Sequence, residues 1–175
     1  MRRIFAVLLA VVCVASAWAA IRPSEISGVI DAPKPYGTAS LTWLFFTAYE
    51  ASLWTDAPAW SMDAPFALSV TYRMSFTRDE LVERTLEEMK RVAPRLSNAA
   101  LARFGAALDR AYPDVEPGDR ITALHAPGGP VRFFHNGTMR SQVGDPDFAE
   151  PFFGIWLAPQ TSEPSVRAGL LNIEK

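Results

Sequence analysis

The chain has 175 residues, of which 17 are Lys or Arg and 19 are Asp or Glu, giving a formal charge of −2; 49% of the residues are apolar. Mean hydropathy is +0.06. This length and apolar content exclude a disordered chain and fit one domain. Gly 10 and Pro 14 without a short period exclude a fibrous repeat. With no excess of positive charge to grip a polyanion, nucleic acid is not an expected partner.

Residues 1–19 read as a secretory signal peptide and residues 20–175 as the domain. Arg2 and Arg3 form a basic start, residues 4–15 are an unbroken apolar run, and Ala17-Trp18-Ala19 has the small-x-small form of a cleavage site. The other reading is an uncleaved anchor, for which the run is short. Cys13 follows Val12, where a lipoprotein site takes a small residue, so lipidation is not expected. Cleavage after Ala19 removes two arginines, no acid and the only cysteine. The expected product is periplasmic or secreted and has no membrane span. Without thiols, it excludes thiol catalysis and thiolate metal sites and relies on a buried core.

Residues 21–36 form a polar lead-in with one or two short strands. Residues 41–54 are apolar on both alternating faces through Ala48, the pattern of one strand buried on two sides. Residues 55–65 are a loop. In residues 66–74, Phe66, Leu68, Val70, Tyr72 and Met74 alternate with small or polar side chains, which predicts a strand. Thr77 and Glu80 make a capping box. The helix they open carries Leu81, Val82, Thr85, Leu86, Met89 and Val92 on one stripe. A second helix spans about residues 97–112, with Leu101, Phe104, Leu108 and Ala111 inward. Residues 120–126 are a strand candidate. Residues 131–143 form a hairpin about Asn136-Gly137 that sets Phe134 opposite Met139. Asp147 and Glu150 are expected to cap a short apolar helix over residues 148–157, and Ser162 a last helix to about Leu171. Antiparallel strands with helices inserted late, in two pairs, make an α+β fold.

Few motifs carry chemistry. His125 and His135 share no metal-ligand spacing and read as surface or hairpin histidines, so no metal site is expected. No nucleophile elbow, phosphate loop or dinucleotide fingerprint is present, and no cofactor is implied. The sequon at Asn136 is explained by the turn. The acids of residues 79–88 fall mostly on a solvated helix face, interleaved with Arg78 and Arg84. Glu88 is the exception, at the edge of the apolar stripe and able to point into a crevice. Tyr72 belongs to the core face of its strand. Arg73 points oppositely, as a surface cation or as an anchor for an acidic ligand. Residues 152–157, apolar all round, are core or line an apolar pocket.

The order of segments is itself informative. Tyr49 to Trp54, Phe66 to Arg73 and Asp79 to Arg84 form one half. Pro117 to Arg120, Asn136-Gly137, Phe152 to Leu157, Thr161 to Pro164 and Arg167 form the other. Together they resemble the bacterial, exported branch of the chalcone isomerase-like family, over about residues 36–172. The resemblance implies an open-faced β-sandwich, a large antiparallel sheet with helices packed on one face. Some members close a flavonoid ring with an arginine, two threonines, a tyrosine and an asparagine, while others bind fatty acids. None of the five catalytic residues carries over. The arginine falls near Ser40 or Leu41, and the first threonine near Leu44, with Thr42 the nearest hydroxyl. The tyrosine falls at Leu81, the asparagine at Glu88 and the second threonine near Gly154. The resemblance therefore implies a site lined by Thr42, Leu44, Leu81, Thr85, Glu88, Gly154 and Ile155, suited to a small apolar or lipid-like molecule. Three functions stay open: a non-catalytic binder, an isomerase with rearranged groups that needs Arg73 or Glu88, and a cell-envelope interaction module with an apolar patch near Trp54 and Trp60.

Overall fold

The computed structural model describes residues 22–43 and 45–173; the expected signal peptide and Leu44 lie outside them. Six strands run β1 (Lys34–Trp43), β2 (Phe46–Thr55), β3 (Phe66–Tyr72), β4 (Arg120–His125), β5 (Val131–His135) and β6 (Thr138–Val143). They pair antiparallel in sequence order as one meander. Helices α1 (Arg78–Val92) and α2 (Asn98–Ala111) are inserted between β3 and β4, and α3 (Ala149–Leu157) and α4 (Pro164–Leu171) follow β6. This is the expected α+β, open-faced arrangement.

The two-residue period of the strands separates the faces. Leu53, Leu68, Val70, Ile121 and Phe133 turn toward the helices and join Phe104, Leu108, Phe148, Phe152 and Phe153 in the main core. Trp54, Ala67, Leu124 and Phe134 turn the other way, where Ile26 and Ile30 of the N-terminal lead-in cover them. Glu25 pins that lead-in. Its carboxylate, 2% exposed, pairs with Arg120 and accepts from the Thr122 hydroxyl at 2.7 Å.

Local signals act as their chemistry requires at two points. Thr77 and Glu80 form the reciprocal capping box at the start of α1. Asn136 and Gly137 take positive φ of 49° and 86°, the two-residue turn that puts Phe134 opposite Met139.

Four expectations are corrected. Residues 41–54 are not one strand. They hold the end of β1, a tight turn and most of β2, which fold on each other with Leu41 beside Tyr49. No Gly, Pro or Asn marks that turn, so nothing in the local pattern breaks the apolar run. The Asp147–Glu150 capping box does not form. Phe148 occupies the N-cap of α3 without a side-chain bond, and the Asp147 N–H donates to Asp145 Oδ1 instead. Ser162 does not cap α4, whose N-cap is Glu163 with Pro164 in its first turn; its hydroxyl is used elsewhere. His125 is no surface residue, being 6% exposed.

Candidate functional site

The interface of α1, α3 and β2 collects most of the positions singled out from the sequence. Thr85 and Glu88 are buried on α1, Ile155 is buried on α3, and Leu81 is half-buried. Their polar groups bond inward. The Thr85 hydroxyl donates to the Leu81 carbonyl at 2.7 Å and lies 3.3 Å from the Tyr112 hydroxyl. Glu88, 4% exposed, is paired by Arg84 at 2.8 Å and Arg91 at 3.3 Å and accepts from the Ser162 hydroxyl at 2.8 Å. The Trp156 indole N–H donates to the Tyr49 hydroxyl at 3.0 Å. Burial pushes the Tyr49 phenol up to about 12, against the Trp156 bond, which favours ionisation. Thr42 stands apart, exposed near the end of β1 and 3.5 Å from the Thr47 hydroxyl. Arg73 pairs with Glu50 at 2.7 Å on the sheet face away from the helices.

An open groove of about 1190 Å³ lies at the other end of the helical layer. One wall is the end of α1, the following turn and the start of α2, at Val92, Leu96 and Ala100. The other is α3, at Phe153, Gly154 and Leu157, and Trp60 and Met62 of the β2–β3 loop close it. Of the described site residues carried over from the family, Gly154 alone lies on its surface, together with Phe153 and Leu157 of the apolar run 152–157. A Cβ there would meet Val92 Cγ2 at 3.3 Å, which keeps α1 and α3 close at the groove's base.

Two buried polar atoms beside this groove have no hydrogen-bond partner among the described residues, Trp60 Nε1 and His125 Nδ1. Both rings pack on Phe66, with centroids at 5.7 Å and 4.9 Å. His125 Nε2 lies 2.9 Å from the Met62 carbonyl. A carbonyl only accepts, so Nε2 carries a proton. The groove therefore adjoins two buried ring nitrogens without a partner among the described residues. At its rim, half-buried Arg167 spends its Nε–H on the Leu157 carbonyl at 2.8 Å. No acid among the described residues forms an ion pair with it.

Sequence reasoning missed Trp60, Met62, His125 and Arg167. Arg167 was visible as part of the segment order, whereas Trp60 and Met62 sit in a loop with no periodicity to direct them. The apolar patch expected near Trp54 and Trp60 is not there. Trp54 is 2% exposed under the lead-in and Trp60 is half-buried. Among the described residues no three His, Cys, Asp or Glu side chains gather as a metal site, and no helix is long and apolar enough to cross a membrane.

An antiparallel meander with two helix pairs on one face and a groove beside them defines an α+β open-sheet domain. A family profile described as chalcone isomerase-like matches residues 36–172, and the chain belongs to that family. An uncharacterized protein of Haemophilus influenzae is 24% identical over 143 residues, covering 81% of this chain and 69% of that protein. The crystal structure of a fatty-acid binding protein of Arabidopsis thaliana superposes with a TM-score of 0.58. It covers 81% of this chain and 88% of its own at 12% identity, a likeness of fold.

Proposed function

We propose that this protein is an exported, non-catalytic member of its family that binds a small apolar or lipid-like molecule in the groove between α1, α2 and α3. The groove carries the reading. Its volume of about 1190 Å³ is somewhat above that of most small-molecule sites, which run to roughly 1,000 Å³, and leaves room for a long ligand. Arg95 and Arg167 line the groove together with Asp147 and Glu150, so its lining carries both signs of charge, and the fatty-acid binding of the Arabidopsis thaliana protein of the same fold supports a ligand with a long apolar body. Gly154 lies in the groove, whereas Thr85, Glu88 and Ile155 sit at the far end of the α1–α3 interface and do not line it. The basic start, apolar run and Ala17-Trp18-Ala19 support export to the periplasm or medium.

The test is native mass spectrometry of purified protein together with displacement of a bound fluorescent fatty acid. Co-purified ligand, and at least ten-fold weaker probe binding in Ala158→Trp, which fills the groove, are expected. Unchanged probe affinity in that variant sinks the groove as the site. Loss of enone absorbance from a chalcone, abolished in Glu88→Gln, sinks the non-catalytic reading. A mature N-terminus at Ala20 in an extracytoplasmic fraction tests export.

A further inference from the structure

Four of the five large apolar side chains left in water among the described residues, all but Ile173, gather at one end of the sheet. Phe45 is 93% exposed and Phe46 is 67% exposed at the β1–β2 tip; Met74, just past β3, is 37% exposed, and Met139, beside the β5–β6 turn, is 49% exposed. The meander brings all four to the same end, opposite the groove. The β1–β2 ribbon also overshoots the sheet. Tyr49 pairs with Tyr72, the last residue of β3, and the Ala48 carbonyl still accepts from the Arg73 N–H at 2.9 Å, so Phe46 and Thr47 run on without a partner on that side, about 7 Å beyond it. From Pro35 to Tyr49 the sequence holds no charged residue.

The lead-in enters the fold at this end too. Glu25 is bound to Arg120 and Thr122 at the start of β4, and Ser24 lies beside Gly137 in the β5–β6 turn. Six residues, seven chain steps, separate Ala15, the last of the N-terminal apolar run, from Arg22. Fully extended they reach at most about 24 Å. While that run sits in a bilayer, the domain is tethered by the end that carries Phe45 and Phe46.

We propose that the β1–β2 tip is a membrane-contact element that places Phe45 and Phe46 in the interfacial layer of a lipid bilayer. A lone protruding finger offers a protein partner little area, whereas a lipid surface conforms to it, and aromatic side chains are favoured at that depth. Glu50 and Asp119 at this end are held by Arg73 and by Asn136 and His135, and Arg140 beside Met139 is exposed, one cation rather than a basic cluster. Binding is apolar and nearly independent of salt.

The test attaches an environment-sensitive NBD fluorophore to Thr42→Cys, with Cys13→Ser, in the purified protein. The same label on Asp63→Cys, at the opposite end, is the control. On adding phosphatidylcholine vesicles, emission at position 42 is expected to rise at least two-fold and shift to the blue. Position 63 stays unchanged, and Phe45→Ser with Phe46→Ser abolishes the response while leaving the melting temperature in place. A silent label at position 42, an equal response at both positions, or a response surviving the double substitution overturns the proposal. So does a response without vesicles that follows protein concentration, which would mark tip-to-tip association of two copies.

Discussion

Helix α4 crosses β1 with backbone against backbone, and two glycines permit it. A Cβ built on Gly37 would collide with the carbonyl oxygens of Leu170 and Gly169, and one on Gly169 would lie 2.7 Å from the Thr38 carbonyl oxygen and 3.0 Å from Ala39 Cβ. Neither neighbour is the end of a flexible side chain, so α4 itself must lift. The Asn172 side chain, which donates to the Tyr36 carbonyl, holds it down. Gly105 on α2 is the counter-case, because its Cβ would meet only the tip of Leu86 at 3.2 Å. Replacing Gly by Ala gains about 1 kcal/mol in a helix and roughly 0.5–1 kcal/mol in a strand. Overpacking costs typically 1–3 kcal/mol, and more where only backbone can yield. Gly37→Ala should therefore lose about 2–3 kcal/mol, Gly169→Ala about 1–2 kcal/mol, and Gly105→Ala should gain roughly 0.5 kcal/mol. At about 2–4 °C per kcal/mol for this size, calorimetry should show Gly37→Ala melting about 5–10 °C lower and Gly105→Ala about 1–2 °C higher. If the two variants melt together, α4 is not seated on β1 through these glycines.

Burial raises the phenols of Tyr49, Tyr72 and Tyr112 above the ordinary 10.0. The native state thus keeps protons that the unfolded chain releases, and stability holds below pH 10 and falls above it, by up to about 1.4 kcal/mol per unit per tyrosine; urea midpoints at pH 9 and pH 11 should reveal the drop. At the acid end, the Asn136 amide and then the Glu116 N–H hold the Asp119 carboxyl below 3.8, so its contribution is present above that pH and lost as pH falls through the lowered value. Asn136→Ala should flatten that acid limb in chemical-denaturation curves. Glu88→Gln keeps a partner for Ser162 but loses two ion pairs whose arginines reach water, for a cost of about 1–2 kcal/mol. Glu25→Gln strips the charge that binds Arg120 and Thr122, costs about 1–3 kcal/mol, and should expose the amides of residues 26–30 to hydrogen exchange ahead of the sheet.

What was legible in the sequence followed strong local chemistry. The capping box of α1, the Asn136-Gly137 turn with its register, and the period-two strand β3 each need only their own residues. The β1–β2 turn failed because apolar residues run straight through it, where a buried strand and a hairpin tip share one pattern. The two mistaken caps failed because the Asp147 N–H, which Glu150 would have accepted from, goes to Asp145, and the Ser162 hydroxyl goes to Glu88. Those partners are distant or conformational, and spacing does not contain them. The candidate residues named from the family's order fell mostly at one interface because α1 and α3 do pack together, while the groove depends on where a loop happens to fold.

The polar groups separate the two ends of the helical layer. At the α1–α3–β2 interface, Tyr49 with Trp156, Thr85 with Tyr112, and Glu88 with Ser162 and two arginines are one another's partners. A ligand entering there must break bonds already made, at roughly 1–3 kcal/mol for each buried group left unmet. Beside the groove the balance is reversed. Trp60 Nε1 and His125 Nδ1 lack partners, and buried atoms in that state call for an explanation. Trp60 itself lines the groove, and His125 packs behind it against Phe153. The two ends of the helical layer thus differ in kind: one is closed by its own hydrogen bonds, and the other borders buried nitrogens without a partner among the described residues.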